Sequence, residues 1–373
     1  MTPSTHSRRG SQPCGPAGRP RADRCSPRDL EITDANGRTW SVAEPQEGVF
    51  ELDPRAAEQL AGVSRRVTAR HSGRPIDDHD LLIEIEVAMR RATSDLVGEL
   101  VRFRLAGSRD GILLLRGLPL GGPLPATPRG GAFPGAWSEL GVASVTQLMI
   151  MSVLGDVISY ADEKEGRLIQ DICPVPGAEG RQENTGSCLL ELHTEDGFHP
   201  NKPHFLSLLC LRSDHHGEAM TVAGGMRAVL PLLSPEHARV LREPWFRVRM
   251  ASSFVGTGPA AYSEPMPVLS GRHDDPDLCV DFHATEPMTE LAHAAVEELR
   301  GHLLDSLVGT VLEPGDMLIV DNRKAVHGRT DFSPRYDGED RWLRRCFAVT
   351  DIRASQELLY PASRMHEPLR LAV

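Results

Sequence analysis

From residue 165 onward the sequence is punctuated rather than periodic. Short apolar runs, CLLEL (188–192), HFLSLLCL (204–211), LCVDF (278–282), GDMLIVD (315–321) and RRCFAVTD (344–351), are each closed by turn-forming or charged residues. Such runs are too short for helices and have the length of strands. The pattern predicts a β-sandwich or barrel rather than a βαβ sheet. A helix interrupts it at 234–243, where Ser234 can cap and Glu236 falls in the first turn.

Upstream, apolar residues recur at helical spacing over 54–71 and again over 78–105, where Leu82, Ile85, Met89, Leu96 and Leu100 share a face. GILLLRG (111–117) reads as a buried strand able to join the same sheet, the Gly/Pro-rich stretch 121–135 as a loop, and 143–166 as helix, turn and strand. The fold class is therefore α+β, mainly β, with helices bracing a β core, and residues 29–373 are expected to form one domain. Residues 1–28, rich in Pro, Gly, Ser and Arg and without the apolar stretch of a secretory signal, are expected to be a disordered tail.

A net charge of -11 argues against a general nucleic-acid partner, which needs a basic face. No run of about 18 apolar residues stands out, so no membrane span is expected. The seven cysteines (14, 25, 173, 188, 210, 279, 346) are odd in number and lack a CxxC pair. They predict neither a disulfide framework nor a zinc ribbon, and a reduced, cytoplasmic setting is expected. Nothing in the pattern indicates an oligomeric state.

The chemistry concentrates just after CLLEL. LELHTEDGFHP (190–200) places His193, Glu195, Asp196 and His199 in one short run. Charges at the end of a buried strand are costly unless paired, exposed or bound to something. His193 and Glu195, two residues apart on extended backbone, project from one face, so an imidazole and a carboxylate can converge. A third ligand from a neighbouring strand is available in His327, after the apolar DMLIV. Two histidines and one carboxylate with open positions are the arrangement of non-haem Fe(II) oxygenases. His-x-Glu also arises often by chance, and His199, His204, His215 and His216 lie nearby in sequence. A barrel that binds a metal without redox catalysis, as an isomerase, hydrolase or sensor, would use the same residues.

LLELHTEDGFHP (189–200), LLCLRSD (208–214) and VDNRKAVHGRTDFSPRYDGEDRWLRRCFAV (320–349) resemble the clavaminate synthase-like branch of the Fe(II)/2-oxoglutarate oxygenases, which contains amino-acid hydroxylases. The resemblance runs over roughly 110–350 and is densest at 184–212 and 316–350. It implies a double-stranded β-helix, or jelly-roll, core and the cofactors Fe(II) and 2-oxoglutarate, with O2 as co-substrate. It assigns iron to His193, Glu195 and His327. It gives the distal carboxylate of 2-oxoglutarate to Arg341 and the Thr221 hydroxyl. A planar guanidinium suits that task because it grips a carboxylate through two parallel hydrogen bonds.

For the substrate, the resemblance places the α-carboxylate on Arg345, the ammonium on the non-ligating oxygen of Glu195, an amide contact on Asn184 and the side chain on Asp281. The positions two residues either side of Asp281 are Cys279 and His283, so no second acid completes a clamp for a guanidinium. ADEKEG (161–166) offers Asp162 or Glu163 as a substitute, with Asp162 taken as the pocket residue. The expected reaction is hydroxylation at C3 or C4 of a free polar L-amino acid, a basic one such as lysine or arginine first. Asparagine, citrulline and cyclic guanidino amino acids are the alternatives. The segment 212–229, with paired glycines and few large apolar groups, is expected to be a loop that closes over substrate.

Overall fold

The computed structural model describes residues 30–33, 39–92, 94–256 and 259–369. The tail expected over 1–28, with Cys14 and Cys25, lies outside the described residues. Two sheets form the centre. The larger runs β18 (Met365–His366), β5 (Asp156–Tyr160), β17 (Trp342–Val349), β8 (Phe205–Arg212), β15 (Met317–Asp321), β4 (Ile112–Arg116), β3 (Val49–Glu51), with β6 (Ile169–Ile172) also paired to β17. The smaller runs β14 (Val308–Val311), β9 (Met220–Gly225), β16 (Ala325–Arg329), β7 (Leu190–His193). Within these sheets every ladder is antiparallel except β18/β5 and β3/β4 at the edges. Short ribbons β1 (Leu30–Thr33)/β2 (Thr39–Val42), β10 (Phe246–Val248)/β13 (Thr285–Pro287) and β11 (Leu269–Gly271)/β12 (Pro276–Leu278) complete the strands.

Alternation along the strands explains the layering. On β8, Leu206, Leu208 and Cys210 meet Ala223 of β9 and Val308 of β14 in a core between the sheets. Phe205, Leu209 and Leu211 face the opposite way, into a core shared with the helices. Each such leucine contributes on the order of 1.5–3 kcal/mol by leaving water. That outer layer is α1 (Pro54–His71), α2 (His79–Ala92), α3 (Ser94–Ala106) and α4 (Gly141–Leu154). The first helix begins as the sequence predicts, with Pro54 in its first turn and Asp53 Oδ1 accepting from the Arg55 and Ala56 amides. The stretch 78–105 is two helices rather than one. The apolar spacing carries through from Met89 to Leu96, so periodicity alone does not mark the break.

The fourth helix is apolar on all sides because it is enclosed on all sides, between α1–α3 and β17. With the turn before it, Trp137–Leu154 is long and apolar enough to cross a membrane by composition, yet 72% of it is buried inside the protein, as a core helix should be. The smaller sheet is covered by α5 (Met226–Val229), α6 (Pro235–Val240) and α8 (Glu290–Asp305), through Leu192, Met220, Val222 and Val326. A single turn, α7 (Ser252–Val255), lies beside the site.

The lid expected over 212–229 is overturned. Only the stretch between β8 and β9 is a loop; the rest is the last residue of β8, the whole of β9, buried along its length between β14 and β16, and the whole of α5. Its small residues serve close approach rather than mobility. A Cβ on Gly225 would lie 2.5 Å from Arg109 O.

Candidate active site

Neighbouring strands of the smaller sheet bring the first group together. His327 of β16 pairs directly with His193 of β7 in the ladder, and the approach of the strands depends on Gly328, where a Cβ would come within 2.6 Å of Leu190 O. The imidazole centroids are 4.4 Å apart. Glu195, just past the strand, brings Oε2 to 3.4 Å from His327 Nε2. One donor atom from each of the three lies within 4.8 Å of the others. His193 Nδ1 is 2.8 Å from Glu191 O. A carbonyl can only accept, so Nδ1 is the donor and Nε2 is the nitrogen left to face a metal. Two imidazoles and a carboxylate suit ferrous iron and leave positions open for further ligands.

Glu195 is held from behind by Asn322, a fully buried amide that sequence reading passed over. Asn322 Oδ1 accepts from the Glu195 amide at 2.8 Å, and its Nδ2 donates to Glu195 O at 3.0 Å and Pro203 O at 2.9 Å. Burial would raise the Glu195 carboxyl, but the charge of Arg345 and the contact with His327 hold it below the usual range. Burial, then His193, lowers His327. Both shifts favour the forms that bind a metal.

A cavity of about 260 Å³ opens from this group. Thr221, Asn184, Asp281, Arg341 and Arg345 all line it. Arg341 is buried and donates to Thr221 Oγ1 at 3.3 Å. Arg345 projects to the same side of β17 as Leu343 and Phe347, whereas Arg344 turns outward to Asp171 Oδ1 (3.1 Å) and Ser144 Oγ (2.7 Å) in the helix layer. Asp281 lies beside His193 through a β-bridge. Its Oδ1 accepts from the His283 and Ala284 amides at 2.8 and 2.9 Å, fixing the carboxylate in a tight turn and leaving Oδ2 as the less committed oxygen.

Asp162 is not among the cavity-lining residues. Its Oδ2 accepts from the Leu369 amide at 2.8 Å, and the next residue, Glu163, faces the site. Glu163 pairs with Arg345, which also donates to Glu195 Oε1 at 2.7 Å and Gln170 Oε1 at 3.0 Å. Burial opposes the charge of Arg345, yet Glu163, Glu195 and Asp196 together raise its pKa. Glu163, Glu195 and Asp196 form an acidic trio with donor atoms within 4.8 Å of one another. Burial, then Glu163 and Glu195, pushes the Asp196 carboxyl well above its usual range. Two further cations, Lys164 and Arg329, line the cavity; burial, then Arg341, lowers Arg329 to about 9. Sequence reading singled out neither, although Arg329 is signalled by the two-residue spacing that puts it on the face of His327.

The family model for taurine catabolism dioxygenase TauD, TfdA family, matches residues 102–347. The chain is 43% identical to the L-asparagine oxygenase of Streptomyces coelicolor over 82% of its own length and 91% of the relative's. It is 36% identical to clavaminate synthase 2 of Streptomyces clavuligerus over 74% and 85%. Its structure is similar to that of asparagine oxygenase in complex with Fe(II), 2S,3S-3-hydroxyasparagine and succinate, with a TM-score of 0.81 and 40% identity, covering 86% of this chain and 99% of the other. The chain belongs to the TauD/TfdA dioxygenase family, in its clavaminate synthase-like, amino-acid hydroxylase branch. It is an Fe(II)/2-oxoglutarate-dependent oxygenase.

Proposed function

We propose that the chain hydroxylates a free L-amino acid carrying a side-chain amide, asparagine first, at a carbon held over iron bound by His193, Glu195 and His327. Iron with 2-oxoglutarate bound would activate O2, one oxygen atom oxidising 2-oxoglutarate to succinate and CO2 and the other being delivered to the substrate carbon. The chain's own residues decide which carbon is exposed to it. Arg341 and Thr221 hold the distal carboxylate of 2-oxoglutarate, and Arg345 anchors the substrate α-carboxylate. Among the described residues Arg345 bonds to Glu163, Gln170 and Glu195. The arriving carboxylate therefore displaces Glu163, which turns with Glu195 and Asp196 to receive the α-ammonium. The two sheets are read as a double-stranded β-helix, and residues 29–373 as one oxygenase domain.

The observation that carries the amide reading is the state of Asp281. One of its oxygens already accepts two backbone amides, and Cys279 and His283 stand at the two positions where a second acid would complete a clamp. A single acceptor oxygen suits an amide NH2, while Asn184 can answer the amide at its other atoms. A guanidinium presents five donors and would be left partly unpaired. Lys164, which also lines the cavity, disfavours a second side-chain cation there. These features, and the 43% identity to an L-asparagine oxygenase, move the preference away from lysine and arginine. The test is a mass-spectrometric screen of the free amino acids, with ornithine and citrulline, for a product one oxygen heavier, run with succinate detection. Asparagine should lead, and Asp281→Ala should lose that preference. Exclusive turnover of basic amino acids, or an unchanged preference in the variant, refutes the role given to Asp281.

A further inference from the structure

Four arginines sit in or beside the site, and they divide by partner. Arg344 and Arg345 are each paired with a carboxylate. Arg329 and Arg341 are as deeply buried, at 4% and 5% exposure, yet among the described residues neither forms a salt bridge. Arg329 donates only to backbone carbonyls, Thr330 O at 3.2 Å and Cys188 O at 2.7 Å, and Arg341 to the Thr221 hydroxyl.

The two are neighbours. Arg329 lies directly across the β16/β9 ladder from Thr221, the residue that holds Arg341. The Phe332 ring faces both guanidinium groups, 5.0 Å from Arg329 and 5.9 Å from Arg341. Both guanidinium-bearing residues and Thr221 line the cavity. Two adjacent cations withdrawn from water without a carboxylate are strongly unfavourable, and a cation–π contact offsets only part of that. The arrangement is complete only when an anion arrives.

We infer that Arg329 is the second cation of the receptor for the distal carboxylate of 2-oxoglutarate, and that it gives the site its preference for dicarboxylate 2-oxoacids over monocarboxylates of the same length. The inference rests on the placement of 2-oxoglutarate at Arg341 and Thr221 proposed above. The doubled positive charge behind Thr221 acts on the distal carboxylate alone. A 2-oxoacid ending in a methyl group keeps its keto and C1 carboxylate contacts at the metal and gains nothing from it.

The experiment measures binding rather than turnover. Dissociation constants of 2-oxoglutarate and 2-oxopentanoate are determined by calorimetry on the full chain loaded with Mn(II), for wild type, Arg329→Gln, Arg329→Lys and Arg341→Met. Glutamine keeps a donor for Cys188 O and removes the charge; Arg329→Met serves the same purpose should the glutamine variant not fold. Removing a charged donor should lower the 2-oxoglutarate to 2-oxopentanoate preference about tenfold or more, with 2-oxopentanoate affinity little changed. Arg329→Lys should restore most of the preference. An unchanged preference in Arg329→Gln beside a collapsed one in Arg341→Met, or equal weakening of both ligands, overturns the inference and leaves Arg329 a purely structural residue. An unchanged preference in Arg341→Met as well overturns the placement of 2-oxoglutarate itself.

Discussion

Replacing Asn322 by alanine tests whether the iron-side carboxylate is positioned by its backbone. The side chain is fully buried and makes three hydrogen bonds, one accepted from the Glu195 amide and two donated to Glu195 O and Pro203 O. Alanine strands all three partners in the interior, each at about 1–3 kcal/mol. A water admitted into the vacated space can re-pair one or two of them. The expected loss is therefore roughly 2–5 kcal/mol, read by equilibrium urea unfolding of the metal-free chain. Asn322→Asp should be at least as damaging, since it keeps the acceptor for the Glu195 amide but turns lone pairs toward two carbonyls. Because the same bonds aim Glu195, Fe(II) affinity should fall about 10–100-fold in the alanine variant, the usual scale for a group supporting a ligand. A loss below about 1 kcal/mol with undiminished metal affinity would refute the reasoning, which draws its magnitude from those unpaired groups.

Adjacent arginines on β17 should separate stability from substrate binding. Arg344→Met takes the cation from buried Asp171, which keeps its hydrogen bonds from the Phe133 amide and Trp342 Nε1, and should cost about 3–5 kcal/mol while leaving substrate KM unchanged. Arg345→Met should raise that KM about 30-fold or more in whatever protein folds, and equal KM effects in the two variants would contradict the strand alternation. His199 predicts an acid-sensitive fold. Burial, then His366, lowers it to about 4, so the unfolded chain takes up its proton first. Its contribution is whole above about pH 6.5, its unperturbed value, and is lost as pH falls toward 4, by up to about 3 kcal/mol. His199→Phe, which keeps the ring beside Tyr160, should flatten that part of the stability profile measured by denaturant between pH 7.5 and 4.5, and an unaltered slope would exclude His199 as its source.

What could be read from the sequence follows from what period and spacing encode. His193 and Glu195 share a face because extended backbone alternates, and His327 was locatable because it closes an apolar run. Resemblance, not spacing, pointed to Thr221, Arg341 and Arg345. The choice between Asp162 and Glu163 was not legible. The two lie in the turn that closes from the Glu163 amide onto Tyr160 O as the chain leaves β5, and no local pattern announces which side chain then faces the site. Asn322 was hidden because its partners, Glu195 and Pro203, are remote in sequence. The expected lid failed for a related reason. Small residues and paired glycines are the composition of a mobile loop and equally of a strand pressed against its neighbours, and only the ladder with β14 and β16 distinguishes the two.

The most direct test of the account is anaerobic Fe(II) titration of the wild type, His193→Ala and His327→Ala, with folding of each verified by circular dichroism. The wild type should bind one ferrous ion per chain. Each variant should remain folded, because these side chains line a cavity rather than fill a core, and should lose affinity by about 100-fold or more as a metal-bound nitrogen is removed. Fe(II) bound at wild-type affinity by both folded variants would contradict the placement of iron at His193, Glu195 and His327.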